Sequence, residues 1–364
     1  MASFSSTRKE RSSNLLREPM MTTSLRTLDV CRKLFDTIDR NTSNYVDDLI
    51  HICEVAAPTF REGNRARYFA SLFESLRCSP SIDEAGNVRI PFLQNGPPHV
   101  VLSAHLDTVF SLETIRVTRK GNILYAPGIS DDSSGLAALV SLARAFLETG
   151  LPESGTLTFL ATVGEEGLGN LRGARHYFST MPKDDINCFI SLDGCDAERL
   201  VVSGLASKRV RVFFRGPGGH SWGDAGTPNP IQIAGEFLYK LNRLPLTRKP
   251  KTTLNAGIIH GGTSINAIPT EMFLDIDLRS ESTEALARLD ESMSNTLKEI
   301  GKQERAITTE IQILGERPAG AIREDHPLVQ IAMAANQQFG LGAQPDSGST
   351  DSNIPFALGI PAIT

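Results

Sequence analysis

The chain has 364 residues, 40% hydrophobic and 22% charged, which is enough for two domains and excludes a wholly disordered or collagen-like polymer. Thirty-seven Lys and Arg against 42 Asp and Glu leave a net charge of −5, the wrong sign for a dedicated nucleic-acid binder. No apolar run reaches the roughly 18 residues of a membrane span and no secretory h-region opens the sequence, so no membrane partner is expected and a cytoplasmic location is. The five cysteines, Cys31, Cys53, Cys78, Cys188 and Cys195, form no C-x-x-C pair and suit a reducing compartment.

Residues 1–40, rich in Ser, Thr and Arg, read as a flexible N-terminal extension, partly helical near its end, with the fold beginning near Asn44. Segments 45–56 and 63–77 have helical texture, and 99–104 is an apolar run suited to a strand buried on both faces. Helical spacing returns over 134–149, where Gly150 and Pro152 supply a stop, and strand-like runs follow at 156–163 and 188–193. This alternation predicts an α/β domain with a mostly parallel sheet, helices on both faces, and its ligand site beyond the carboxyl ends of the strands. From about 200 the texture changes. A strand at 208–215, a helix at 230–243, alternating runs at 253–259 and 271–279, a long amphipathic helix at 283–303 and a strand at 307–314 give a β-α-β-β-α-β order. That is the split βαβ, ferredoxin-like arrangement, read as an inserted second domain over 200–314. The first domain, 41–199, resumes at 315–364 with a helix near 326–339 and a strand at the chain end.

Four clusters carry potential chemistry. His105-Leu106-Asp107 follows the first strand run, with His and Asp on one side of an extended segment. Asp131-Asp132-Ser133-Ser134 precedes the helix at 134–149 and has an ordinary explanation as an N-cap. Gly164-Glu165-Glu166-Gly167 follows the second strand, where adjacent carboxylates repel unless solvated or shared with a cation. Asp193-Gly194, a common turn pair, ends the third run. If the strands are parallel, all four converge at one sheet edge, an excess of carboxylate around one imidazole that bound cations would relieve. Mixed His and carboxylate ligands suit Zn²⁺, with Mn²⁺ and Co²⁺ as alternatives.

The series SAHLDT (103–108), PGISDDSSG (127–135), TVGEEGLGNLRGAR (162–175), SLDG (191–194), GPGGHSW (216–222) and GGTSINAIPTE (261–271) resembles the aminoacylase, carboxypeptidase G and peptidase T family of di-zinc hydrolases, over roughly residues 45–364. The resemblance implies a zinc-exopeptidase-like catalytic domain, with two Zn²⁺ per site, interrupted by a ferredoxin-like lid through which such enzymes form homodimers. It implies metal ligation by His105, Asp131 as the bridging carboxylate, Glu166 and Asp193, with Asp107 clamping the imidazole. Glu165 takes the place of the general base that activates water and returns a proton to the leaving amine. His220 resembles a lid histidine that stabilises the oxyanion across a dimer, and Asn266 and Arg279 resemble substrate-contacting lid residues. Implied substrates are short peptides or N-acyl amino acids, and Asp at 193 resembles the aminopeptidase and dipeptidase branch.

Family members continue past the segment matching 346–364 and supply a last histidine ligand, whereas this chain stops at Thr364. The expectation is therefore a C-terminally incomplete catalytic domain with weak occupancy of one metal site. The alternative function is a non-catalytic binding or assembly homologue.

Overall fold

The computed structural model describes residues 29–194 and 196–364, so the extension before residue 29 and Cys195 lie outside the described residues. It divides into two units, one formed by residues up to Ser203 together with Ala321–Thr364, the other by Gly204–Gly320.

The first unit opens with three helices, α1 (Asp29–Arg40), α2 (Thr42–Glu54) and α3 (Gly63–Ser75). Residues 29–40, the end of the extension where helix was expected, are helical, and Arg40 reaches Glu148 at 3.3 Å. The strands β1 (Ser81–Ile82), β2 (Val88–Asn95) and β3 (His99–His105) follow, then helix α4 (Ser133–Thr149), β4 (Gly155–Thr162), α5 (Arg172–Thr180) and β5 (Cys188–Ser191). With the terminal strand Ala362–Ile363 they form a six-stranded sheet in the order β1-β2-β4-β3-β5-terminal strand. From β4 to the terminal strand every pairing is parallel, while β2 runs antiparallel to β1 and β4. The sequence reading missed β2. Proline cannot donate to a ladder, and here the β2–β4 register shifts between Pro91 and Leu93, an irregularity that accommodates it.

Alternate residues of the central strands feed cores on opposite faces. Phe159 packs with Phe69, Phe73, Leu136, Leu139 and Val140 on one side. Its neighbour Leu160 packs with Val101, Tyr177, Phe178 and Phe356 on the other. Burial on both faces explains why β3 and β4 are nearly continuous apolar runs rather than alternating ones. It also fixes register, because a slip of one residue would exchange the two cores.

The second unit contains β6 (Ala206–Arg215), α6 (Pro230–Leu241), β7 (Thr252–Gly261), β8 (Glu271–Ser280), α7 (Thr283–Gln303) and β9 (Thr308–Arg317). Its sheet order is β7-β8-β6-β9 with all three pairings antiparallel, two interleaved βαβ halves. Ala234, Phe237 and Leu241 of α6 and Leu289, Met293, Leu297 and Ile300 of α7 recur at helical spacing, and pack with Val210, Val212, Phe214, Leu274 and Ile276. No described helix is long and apolar enough to cross a membrane.

Candidate metal centre

Parallel pairing brings three strand ends to one edge. His105 is the last residue of β3 and pairs with Thr162, the last residue of β4, while Ser103 pairs with Ser191 at the end of β5. The segments that continue from these ends carry Asp107, Glu165 with Glu166, and Asp193. Ligand atoms of His105, Asp131 and Glu166 lie within 4.8 Å of one another, as do those of His105, Glu165 and Asp193. The structure therefore brings together His105, Asp131, Glu165, Glu166 and Asp193.

The His105 ring is fully buried. Its Nε2 lies 2.9 Å from Asp131 Oδ1 and 3.6 Å from Asp193 Oδ1. Nδ1 lies 2.9 Å from the main-chain oxygen of Asp107, so the carbonyl fixes that nitrogen as the N–H. The Asp107 carboxylate, expected to clamp the ring, stands farther off at 3.7 Å. Its oxygens are occupied: Oδ1 accepts from Glu165 N at 2.9 Å, and Oδ2 accepts from Glu166 N at 3.0 Å and Thr59 Oγ1 at 2.9 Å. Asp107 thus anchors the glutamate loop as well as the imidazole segment.

The adjacent aspartates divide two tasks. Asp131 turns to the ring and is half exposed, and its hydrogen bond to His105 holds its carboxyl below the usual range. Asp132 is fully buried and caps α4, accepting from Gly135 N at 3.1 Å and from His105 N at 2.8 Å. Burial drives its pKa well upward. Gly135 permits this close approach: a Cβ there would meet Asp132 Oδ1 at 2.3 Å and the Leu192 carbonyl at 2.4 Å. Burial opposes charge on the His105 ring, yet hydrogen bonds to Asp131 and Asp193 raise its pKa well above the ordinary value. Burial also raises Glu166, and Asp131, Asp107 and Asp193 add to the effect.

Three residues of the site's surroundings were not singled out in the sequence. Thr59 contributes its hydroxyl to Asp107. Asp351 is buried, accepts from Thr162 Oγ1 and leaves Oδ1 without a hydrogen-bond partner. Arg65 is fully buried and bonds the Leu106 carbonyl. The signal for Arg65 was its position with Ala66, Phe69, Ala70 and Phe73 on the buried stripe of α3.

In the second unit, His220 pairs with Ala267 in a short antiparallel ladder, which sets it beside Asn266. His220 Nδ1 accepts from Trp222 N at 3.2 Å, and Asn266 Oδ1 accepts from Ser264 Oγ at 2.6 Å. Arg279 lies on β8 and donates from Nε to Asp277 Oδ2 at 2.7 Å.

The donor chemistry fits divalent cations. One imidazole with a fixed N–H and several carboxylates at the mouth of a parallel sheet form a hard, mixed nitrogen and oxygen set. Fold and cluster together define an α/β protein built around a candidate metal site. The chain belongs to peptidase family M20/M25/M40, whose model matches residues 101–364. It is 26% identical to acetylornithine deacetylase from Vibrio vulnificus over 83% of this chain and 80% of that protein. Among solved structures it is similar to a tripeptidase from Staphylococcus aureus, with a TM-score of 0.73, 22% identity and 88% of each chain covered. Aminopeptidase PepT from Bacillus cereus gives 0.70 at 23% identity, covering 89% of each chain. Members of the family are hydrolases, with peptidases and deacetylases among these relatives.

Proposed function

We propose that the protein is a zinc-dependent hydrolase that cleaves an amide bond in short peptides or N-acyl amino acids. The observation that carries this reading is the meeting of His105, Asp131, Glu165, Glu166 and Asp193 within two overlapping groups of ligand atoms. His105, Asp131, Glu166 and Asp193 would hold two Zn²⁺. Bound there, the metals supply the Lewis acidity that activates water and polarises the scissile carbonyl.

Glu165 is the proton carrier in this scheme. It is buried, its main-chain N–H is tied to Asp107, and its carboxylate lies in the group with His105 and Asp193. That position suits it to take a proton from the attacking water and give it to the leaving amine. Asp107 orients both the His105 segment and the Glu165–Glu166 loop. By the family resemblance, His220 would donate to the developing oxyanion across a homodimer, and Asn266 and Arg279 would contact substrate. Peptides of two or three residues are the favoured substrates, since Asp occupies position 193 and peptidases are among the structural relatives.

The same unit suits a homodimer. Strand β7 lies at a sheet edge, with Ile258 and Ile259 exposed, the kind of edge that pairs with a second chain. The test is hydrolysis of a panel of dipeptides, tripeptides and N-acyl amino acids by the zinc-loaded protein. Chelator-sensitive turnover that falls by at least about 10²-fold in Glu165→Ala, with zinc content retained, is expected. Full turnover in Glu165→Ala would take the proton-carrying role from Glu165.

A further inference from the structure

Arg65 has no exposed surface and stands on the apolar stripe of α3, between a helix-packing alanine and a phenylalanine-rich core. A leucine would satisfy that stripe at no desolvation cost, whereas a buried guanidinium is expensive unless its donors are paired. Its donors go to three carbonyl oxygens. Nε bonds Val55 at 2.8 Å, Nη2 bonds Cys53 at 3.3 Å and Nη1 bonds Leu106 at 2.9 Å. Cys53 lies in the last turn of α2 and Val55 caps it, so two donors satisfy orphan carbonyls at a helix C-terminus, where a cation also complements the helix dipole. The third reaches the peptide between His105 and Asp107.

Among the described residues no carboxylate pairs directly with Arg65, so its planar fork is spent on main-chain geometry. The connection is short: Leu106 is itself buried, and one residue to either side stand the imidazole and the carboxylate that receives Glu165 N and Glu166 N. Movement of the Leu106 carbonyl would therefore turn both.

We propose that Arg65 is a positioning residue of the metal centre, fastening the His105-Leu106-Asp107 segment to the C-terminus of α2. The inference rests on the reading of His105 as a metal ligand. Burial lowers the pKa of the guanidinium to about 10, with Asp107 and Asp132 acting in the opposite direction, so the group remains a cation at neutral pH.

Zinc dissociation constants, measured by competition with a chromophoric chelator, test this on the unaltered protein, Arg65→Lys, Arg65→Met and Phe73→Leu. Lysine keeps the charge and loses the fork, methionine loses both, and Phe73→Leu lowers core stability through the packing of Phe73 on Phe69 and Phe159 while leaving the Arg65 hydrogen bonds in place. Both Arg65 variants are expected to bind zinc at least about tenfold more weakly, as for other residues that support ligands from behind. Phe73→Leu is expected to bind as the unaltered protein does. In peptide hydrolysis, the Arg65 variants should lose kcat with KM little changed. Equal zinc affinity in Arg65→Lys would overturn the proposal, as would tighter binding in Arg65→Met, which would make Arg65 a mere repelling charge. If the unaltered protein binds no zinc, the metal reading fails and the proposal with it. Should the variants not fold, the Arg65 Nε resonance of the unaltered protein decides: it is expected to move in step with zinc occupancy, and a stationary resonance overturns the proposal.

Discussion

Asp107→Asn removes one charge and one acceptor from a fully buried side chain that serves three donors. An amide has one oxygen. If its nitrogen takes the Oδ2 position, the bond to Glu166 N is lost while the Thr59 hydroxyl turns to accept from the amide. If it takes the Oδ1 position, the bond to Glu165 N is lost instead. Either way one hydrogen bond to a charged group disappears, worth about 1.5–3 kcal/mol, and a main-chain N–H of the glutamate loop is left facing another donor at about 1–3 kcal/mol. The two bonds that survive become neutral and weaken. Together these give a loss of roughly 2.5–6 kcal/mol. The assay is denaturant unfolding of the metal-free protein by linear extrapolation, with the slope compared between variants to establish that the same surface is exposed. A loss below about 1 kcal/mol, the net value of a single ordinary hydrogen bond, would refute the reasoning that Asp107 anchors the glutamate loop.

Two further outcomes follow from the geometry. In Gly135→Ala the new Cβ confronts Asp132 Oδ1 and the Leu192 carbonyl, so thermal unfolding should reveal a loss of roughly 1–3 kcal/mol; a variant as stable as its parent would mean that the α4 cap can shift freely. His99 is buried, with Nδ1 3.1 Å from the Asp185 carbonyl and Nε2 2.9 Å from Thr158 Oγ1, and burial lowers its pKa from 6.5. Because the folded pKa is below the unfolded one, the unfolded state binds more protons in that window, and His99's contribution is present above pH 6.5 and lost as pH falls toward the folded value. Melting temperatures from pH 7.5 down to 5.5 should fall less steeply in His99→Gln than in the parent, and parallel slopes would exclude His99 as the cause.

The parts of the fold that could be read from the sequence are those with a single dominant pattern. β3 and β4 are nearly continuous apolar runs because both faces are covered, and His105 and Glu165 stand close to where those runs end. In the second unit α7 keeps helical spacing from Leu286 to Ile300, and the alternation along 271–279 matches buried and half-buried positions on β8. Where two physical demands share a segment, the letters were less informative. Pro91 interrupts a strand pattern that a register shift rescues, and α1 buries only Thr37 among its twelve residues, which leaves a composition like that of a solvated extension. Inside the site, Asp131 and Asp132 are neighbours of one chemical type, and nothing in their order says which turns to the ring and which caps α4. Arg65 was hidden for the opposite reason. A helical stripe is counted by its apolar members, so a charge within the stripe is passed over although its spacing with Phe69 and Phe73 marks it as buried.

The distribution of hydrogen bonds around the carboxylates argues for cations more directly than their number does. A buried acidic cluster that served only to hold the fold would satisfy all its oxygens with protein donors. Asp107 and Asp132 meet that description, with three and two donors respectively. Asp131 and Asp193 instead share a single nitrogen, His105 Nε2, and among the described residues the Glu166 carboxylate has no hydrogen-bond partner. Burial presses Glu166 toward its neutral form, and its carboxylate neighbours add to this against the opposing pull of His105. Acceptor capacity is therefore left on the residues at the mouth of the strands, while the two aspartates behind them are engaged in holding the backbone. A divalent ion relieves that particular distribution, because it offers charge to oxygens that lack donors and leaves the bonded ones undisturbed. The two kinds of acid thus form a rigid inner layer and an outer layer available for coordination, and the inner layer is what gives the outer one a fixed geometry.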